Sequence, residues 1–270
     1  MQTTVSKPIT FEGIGLHTGL RSRLTVLPAN INFGICFKRT DIQTKAKYIP
    51  AALANVVESQ LCTRLENSDG LSVSTIEHLM AALVGCGVNN VLLEIDGPEV
   101  PILDGSALVF VKEILKTGIK LQKQPSKAIR ILKTVEYKQE LAWAKFEPSI
   151  NSKMSFSIEF AEEAIGTQSK TLDMSNGSFV RELCDSRTFC RYSEVEAMRT
   201  KGLALGGSYE NAVVVDGNNI LSPGGLRHFD EPVRHKMLDA LGDLALAEYP
   251  IIGHYVGCLL YTSPSPRDLL

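Results

Sequence analysis

The stretch VRHKMLDALGD, residues 233–243, decides how the rest of the chain is read. On a helix, at roughly 100° per residue, His235, Asp239 and Asp243 fall within one quadrant. Val233, Met237, Leu241 and the following Leu244 form the opposite stripe. The plain reading is a surface helix that packs its apolar stripe and leaves its charges in water. The chemical reading is that a His and an Asp at i and i+4 present two ligands to one metal ion, as in the zinc helices of metallohydrolases. Two ligands do not complete such a site, because a catalytic zinc takes three protein ligands and keeps a position open.

A third ligand is offered by STIEHLMAALVGCG, where Ile76, Leu79, Met80, Leu83 and Val84 recur at helical spacing and Gly85 and Gly87 provide a stop. His78 points away from the Ile76/Met80/Leu83 stripe, with Glu77 on its flank. Plainer readings exist for both. Ser74-x-x-Glu77 fits a capping box, in which the Glu side chain reaches back to the Ser74 N–H, and a lone His is often a hydrogen-bonded core residue. Taken together, His78, His235 and Asp239 would make a His₂Asp site. Glu77 beside it would be a carboxylate able to take a proton from a water whose pKa a zinc ion lowers towards about 7. The chemistry so implied is hydrolysis of an amide or ester.

The chain has 270 residues and a net charge of −2, with no cluster of Lys and Arg interleaved with aromatics, so nucleic acid is not an expected partner. The start MQTTVSKPITFEGIG has no continuous apolar stretch, and no apolar run reaches the length of a membrane span, so the chain is expected to stay in the cytoplasm. The six cysteines include no C-x-x-C pair, which excludes the common cysteine zinc and redox motifs and leaves free thiols as the expectation.

Residues 3 to about 64 read mainly as strands, with alternation in RSRLTVLPA and GICFKRT. The helix around His78 follows, then a strand in NVLLEID, the turn GPEVPILDGS, and a second helical pattern in ALVFVKEILKTG. Residues 1–120 are thus expected to form a first domain, and the polar KLQKQPSKA provides a linker over 121–128. In a second domain, 129–257, strands recur through IRILKTVEY, AWAKFEP and MSFSIEF, followed by a helix near 177–184 and the long helix beginning around Glu231. Strands first and helices second, twice over, predicts an α+β fold of two halves of similar plan. An inserted segment over about 190–222 holds a helix near 193–201, the glycines of KGLALGGS and the hairpin-like NAVVVDGNNIL.

GIGLHTG, LCTRL, STIEHLMAAL, PEVPILDGS, DSRTF, GLALGGS and FDEPVRHKMLDALGDL occur in this order. Through these motifs the chain resembles, over nearly its whole length, the UDP-3-O-acyl-N-acetylglucosamine deacetylase family, the zinc amidases of lipid A biosynthesis in Gram-negative bacteria. The resemblance implies two β-α-α-β sandwich domains packed together with the metal between them. It implies His78, His235 and Asp239 as zinc ligands, with Fe2+ as the other ion the site could take, and Glu77 as general base. Thr188 matches a hydroxyl that stabilises the oxyanion, Phe189 a substrate-contacting ring, and Lys236 a base that meets the substrate's phosphates. Asp243 matches a carboxylate that orients a histidine of the second half, and Val195, Ala204 and Val214 match the wall of an acyl-chain passage. The implied partner is a UDP-linked acylated glucosamine substrate, and the implied state is a monomer. Read alone, Thr188 is equally a turn hydroxyl or helix cap, Phe189 a core ring, Lys236 a solvated charge, and Val195, Ala204 and Val214 ordinary core. His17, in GLHTG, falls in a motif without an assigned role; it could as well fix a loop.

After IIGHYVG the chain departs from the family's pattern and reads CLLYTSPSPRDLL, with Thr262 where the family's histidine belongs. Residues 258–270 are therefore expected to be a non-native or disordered tail, the chain being truncated or chimeric after about Gly257. Zinc binding is expected to survive, turnover to be strongly reduced, and the second sheet to be left with an uncovered edge. Two further readings stay open: a non-catalytic protein binding UDP-sugar or acyl chains on the same scaffold, and a peptidase using the same zinc chemistry.

Overall fold

The computed structural model describes residues 1–43, 46–139 and 142–260. Alternation produces strands where it was expected. In RSRLTVLP, Ser22, Leu24 and Val26 are buried while their neighbours face outward, and in KMSFSIE, Met154, Phe156 and Ile158 do the same. The first half contributes β1 (Ile9–Ile14), β2 (Arg21–Pro28), β3 (Ile35–Arg39), β4 (Tyr48–Pro50) and β5 (Val91–Ile95). The second contributes β6 (Val135–Gln139), β7 (Ala142–Glu147), β8 (Lys153–Glu159), β9 (Thr167–Asp173) and β10 (His254–Leu260).

These ten strands form two five-stranded sheets ordered β1-β2-β5-β3-β4 and β6-β7-β10-β8-β9. Each half therefore inserts its last strand into the middle of its own sheet. In both, that strand runs parallel to one neighbour (β5 with β3, β10 with β8), and every other pairing is antiparallel. A parallel pair needs a long crossover. The helices supply it: α1 (Glu77–Gly85) precedes β5, while α3 (Ser178–Glu182), α4 (Tyr192–Thr200) and α5 (Glu231–Leu244) precede β10. The remaining helix, α2 (Leu108–Thr117), packs against α1 and β1 and buries Phe110, Val111 and Ile114. The fold is mixed α+β, with the strand order of one half repeated in the other.

Three expectations change. Residues 258–260 are not tail but the end of β10, where Cys258 faces Trp143 and Ser157 on either side and Leu259 is buried. Cys258, Leu259 and Leu260 are a short apolar run, and the Ser/Pro-rich composition of the sequence after it outweighed that signal. The edge expected at the end of the chain is not at β10, which lies between β7 and β8 among the described residues; the sheet's edge strands are β6 and β9. Residues 261–270, Thr262 among them, lie outside the described residues. Finally, the expected linker begins inside a strand: Ile119–Leu121 pairs with Thr3–Val5, and the Gln122 side chain donates to the Ala29 carbonyl and accepts from Asn90. The inserted segment holds α4 and a three-stranded sheet of Phe189–Arg191, Val213–Asp216 and Asn219–Ile220, the last two forming the anticipated hairpin.

The helix containing residues 233–243 is not a surface helix. His235, Lys236, Asp239 and Asp243 are buried together with Val233, Met237 and Leu238, because α1 covers the polar face while β8 and β9 lie against the helix from the second half. The two helices approach so closely that a Cβ at Gly242 would lie 2.1 Å from the Glu77 carbonyl oxygen. Backbone meets backbone there, and no rotamer change relieves a clash. Gly242→Ala is expected to cost about 1–3 kcal/mol, the range for overpacking a tight core. A urea-denaturation midpoint equal to the parent's would show that the helices do not meet in this way.

Candidate metal centre and its cavity

His78, His235 and Asp239 converge, although α1 and α5 come from different halves of the chain. One ligand atom from each lies within 4.8 Å of the others, and all three residues are buried. His78 Nε2 is 3.5 Å and His235 Nε2 3.3 Å from Asp239 Oδ1. Donors roughly 2.0–2.2 Å from a tetrahedral ion lie roughly 3.3–3.6 Å from one another, so Asp239 stands at the distance from each imidazole that a shared divalent ion of zinc's size requires. The tautomer fits as well. His235 Nδ1 lies 3.0 Å from the Ser186 carbonyl, which can only accept, so Nδ1 carries the proton and Nε2 turns its lone pair to the cluster. Burial pushes the His235 pKa down to about 3, with His78 and Lys236 acting in the same direction against Asp239. The imidazole is neutral, as a metal ligand must be.

Glu77 is the first residue of α1 and is 2% exposed. The capping-box reading fails. Ser74 ends a strand and donates its hydroxyl to the Pro98 carbonyl, and no side chain caps the helix. The Glu77 carboxylate instead accepts the backbone N–H of Thr63 at 3.1 Å. Thr63 is a residue that sequence reasoning missed. Its hydroxyl donates to Asp243 Oδ1 at 2.5 Å, so one residue ties together two carboxylates that approach from different helices. The LCTRL motif was the available signal, without anything in it to say which atoms Thr63 would meet. Asp243 thus has a partner irrespective of residue 262. The Tyr255 phenol is raised above its ordinary pKa by burial and by the Asp243 charge.

A cavity of about 1190 Å³ reaches this cluster, with Asp239, Lys236, Thr188 and Phe189 in its wall and Val195, Ala204 and Val214 further along. Every residue assigned to the substrate by resemblance therefore lines one space. Lys236 is not solvated: it is 4% exposed, with Nζ 3.5 Å from Asp239 Oδ2 and 5.3 Å from the centre of the Phe189 ring. Phe189 also meets Phe160 and His235 edge-on. Thr188 caps no helix, and its backbone is fixed on both sides, donating to the Gly105 carbonyl and accepting from Val213 N–H.

Arg187 is a second missed residue. Its N–H, Nε and Nη2 all bond to the carboxylate of Glu231, the first residue of α5, which is 1% exposed and also accepts the Arg227 N–H. This joins the DSRTF segment to the start of α5, setting Ser186 against His235 and Thr188 at the cavity. Alongside, Asp230 holds Arg234 and Lys170. Burial works against the Asp230 charge, but those two cations keep its carboxyl below the usual range.

Two imidazoles and a carboxylate around one point, with a second buried carboxylate alongside and a long cavity leading in, is the arrangement of a metal-dependent hydrolase. Comparison with known proteins makes the class specific. The family model described as UDP-3-O-acyl N-acetylglycosamine deacetylase matches residues 2–259. Proteins named UDP-3-O-acyl-N-acetylglucosamine deacetylase are similar along almost all of the chain. That of Phenylobacterium zucineum (strain HLK1) is 48% identical over 258 residues, covering 96% of this chain and 88% of the relative. That of Geobacter sp. (strain M21) is 47% identical over 253 residues, 94% and 82% of the two chains. That of Shewanella sp. (strain W3-18-1) is 44% identical over 256 residues, 94% and 83%. The chain belongs to the UDP-3-O-acyl N-acetylglycosamine deacetylase family, metalloenzymes of lipid A biosynthesis that hydrolyse an amide C–N bond. The relatives' names describe neither a peptidase nor a non-catalytic binder. The match extends through residue 259, in keeping with Cys258 and Leu259 being part of β10.

Thr63→Val keeps the side-chain volume and the N–H to Glu77 but removes the donor to Asp243. A hydrogen bond to a charged group is worth about 1.5–3 kcal/mol, so kcat is expected to fall by about tenfold or more, with bound metal unchanged. A saturating rate within twofold of the parent would show that this bond is not used.

Proposed function

We propose that this chain hydrolyses the N-acetyl group of UDP-3-O-(3-hydroxyacyl)-N-acetylglucosamine, with water, to the free amine and acetate. The observation that carries the reading is the convergence of His78, His235 and Asp239 at a cavity whose wall includes Lys236, Thr188 and Phe189. The two imidazoles and Asp239 would hold zinc, or Fe2+ in its place. A bound divalent ion would polarise the acetamide carbonyl and lower the pKa of the attacking water.

The chain's own residues supply the rest. Glu77 takes the proton of the water as it attacks, its carboxylate kept in place by the Thr63 N–H. The Thr188 hydroxyl donates to the oxygen that gains charge in the tetrahedral state, the step in which such a donor counts most. Lys236 meets the phosphates of the UDP group, Phe189 packs against the substrate beside it, and Val195, Ala204 and Val214 line the passage for the acyl chain. Asp243, which accepts the Thr63 hydroxyl, is the carboxylate whose role in the family is to orient an imidazole towards the leaving amine, and Glu77 can return to that nitrogen the proton it took from water.

The repeated strand order supports a plan of two sandwich domains, about 1–122 and 129–260, packed together around the metal site. Among the described residues no helix is long and apolar enough to cross a membrane. Action on a UDP-linked substrate, as a monomer working in the cytoplasm, is part of the proposal.

Acetate release from UDP-3-O-(3-hydroxyacyl)-N-acetylglucosamine by the zinc-loaded protein is the direct test, with elemental analysis alongside. Glu77→Gln is expected to keep the metal and lose about 10²–10⁴-fold in kcat, whereas His78→Ala and His235→Ala lose the metal itself. No acetate from the loaded parent, or full metal occupancy in His235→Ala, would overturn the reading.

A further inference from the structure

We infer that Glu99, which has no role in the chemistry above, is a positioning residue that sets the catalytic helix start and the wall of the substrate cavity through one buried carboxylate. This rests on reading Glu77 and His78 as base and ligand. Glu99 is 1% exposed. Its Oε1 accepts the His17 N–H at 2.8 Å and the Thr75 hydroxyl at 2.7 Å, and its Oε2 accepts the Thr18 N–H at 2.8 Å and the Thr18 hydroxyl at 2.7 Å. The chain makes room for it, since a Cβ at Gly15 would lie 2.2 Å from Glu99 Oε2. Its backbone is anchored as well, with the carbonyl accepting the Ser22 hydroxyl at 2.8 Å and a bridge to Ser74.

One branch from this carboxylate leads to the reacting groups. Thr75 has φ +56°, a left-handed conformation that is costly for a β-branched residue and persists only where its surroundings hold it. The hold is the bond from Thr75 to Glu99, and the strained turn is followed after one residue by Glu77 and His78 at the start of α1. The other branch leads to the cavity. Leu16 and His17, beside the Glu99-bound amides, accept with their carbonyls the N–H groups of Gly206 and Leu205, and His17 Nδ1 accepts that of Ala204. Leu16, His17, Leu203, Ala204 and Gly207 all face the cavity. The loop expected to be fixed by His17 is thus fixed chiefly by Glu99.

Four donors and no acceptor call for a group that only accepts, which an ionised carboxylate is and an amide is not. Turned either way, the amide of Glu99→Gln would set its NH₂ against a backbone N–H, that of His17 or that of Thr18.

The test measures kcat and KM for acetate release, bound zinc and thermal melting in Glu99→Gln, Thr75→Ala and Thr18→Val. Each assay is run well below the variant's melting temperature. Glu99→Gln is expected to lower kcat about 10–100-fold and to raise KM while zinc stays at the parent's level. Thr75→Ala, which cuts only the branch to α1, should lower kcat several-fold with little change in KM. Thr18→Val, which loosens only the loop branch, should raise KM several-fold with kcat near the parent's. If Glu99→Gln does not fold, the two single-donor variants decide. Lowered melting with kcat and KM within twofold of the parent in the folded variants would overturn the inference and make Glu99 a structural residue only. A loss of kcat in Glu77→Gln alongside that result would leave the reading of Glu77 standing.

Discussion

The contact between the first turn of α1 and the last turns of α5 is the constraint on which the rest depends. His78 rides on one helix, His235 and Asp239 on the other, so their mutual distances are set by how the two axes meet and cannot be tuned by side chains alone. Gly242 under the Glu77 carbonyl brings the axes to backbone contact. The same contact sets Glu77 at the edge of the ligand cluster. It also explains the repeated topology: in each half the crossover into the central strand carries the helix, and the two crossovers meet.

Such a contact buries polar groups whose desolvation would undo it if they lacked partners. The structure offsets that cost with many charge-assisted bonds from distant parts of the chain. Glu231 takes Arg187, Glu99 takes the His17–Thr18 amides and two threonine hydroxyls, and Thr63 serves Glu77 and Asp243. Of these links, Thr63 is the one that joins the halves, its N–H on Glu77 and its hydroxyl on Asp243, so the site and the junction are fixed together there.

That arrangement also explains what could be read from the residues. Period-2 and period-3.6 patterns are local, and they located β2, β8, α1, α2 and α5 closely. The spacing of His235 and Asp239 is local too, and with Glu77-His78 it pointed to the ligand set that the fold brings together. What covers a helix face is not local. The polar side of residues 233–243 fitted a solvated surface as well as a buried site until α1 was seen against it, and Lys236 shared that ambiguity. The capping-box pattern at Ser74 fitted its spacing and failed because Pro98 takes the serine hydroxyl. Thr63, Glu99 and Arg187 lay in motifs already singled out, yet their functions depend on partners that only the fold supplies. The end of β10 was hidden for a different reason: an apolar strand of a few residues was outweighed by the composition of the residues after it.

Charge in the cluster follows from the same packing. Glu77, Asp239 and Asp243 bring carboxyl groups into one buried region, and Lys236 is the ammonium beside them, 3.5 Å from Asp239. Protonating the imidazoles is not an open route to balance, because burial holds His235 near pKa 3. A bound cation would offset the desolvation cost of holding these carboxyl groups ionised, several kcal/mol per ion, a cost otherwise lowered when a buried carboxyl takes up a proton. Burial thus acts twice on the site. It leaves the imidazole lone pair available for a ligand bond, and it makes the place where that lone pair points favourable to positive charge. A helix read as solvated would do neither, since water would screen the carboxylates and let the imidazole titrate near its ordinary value.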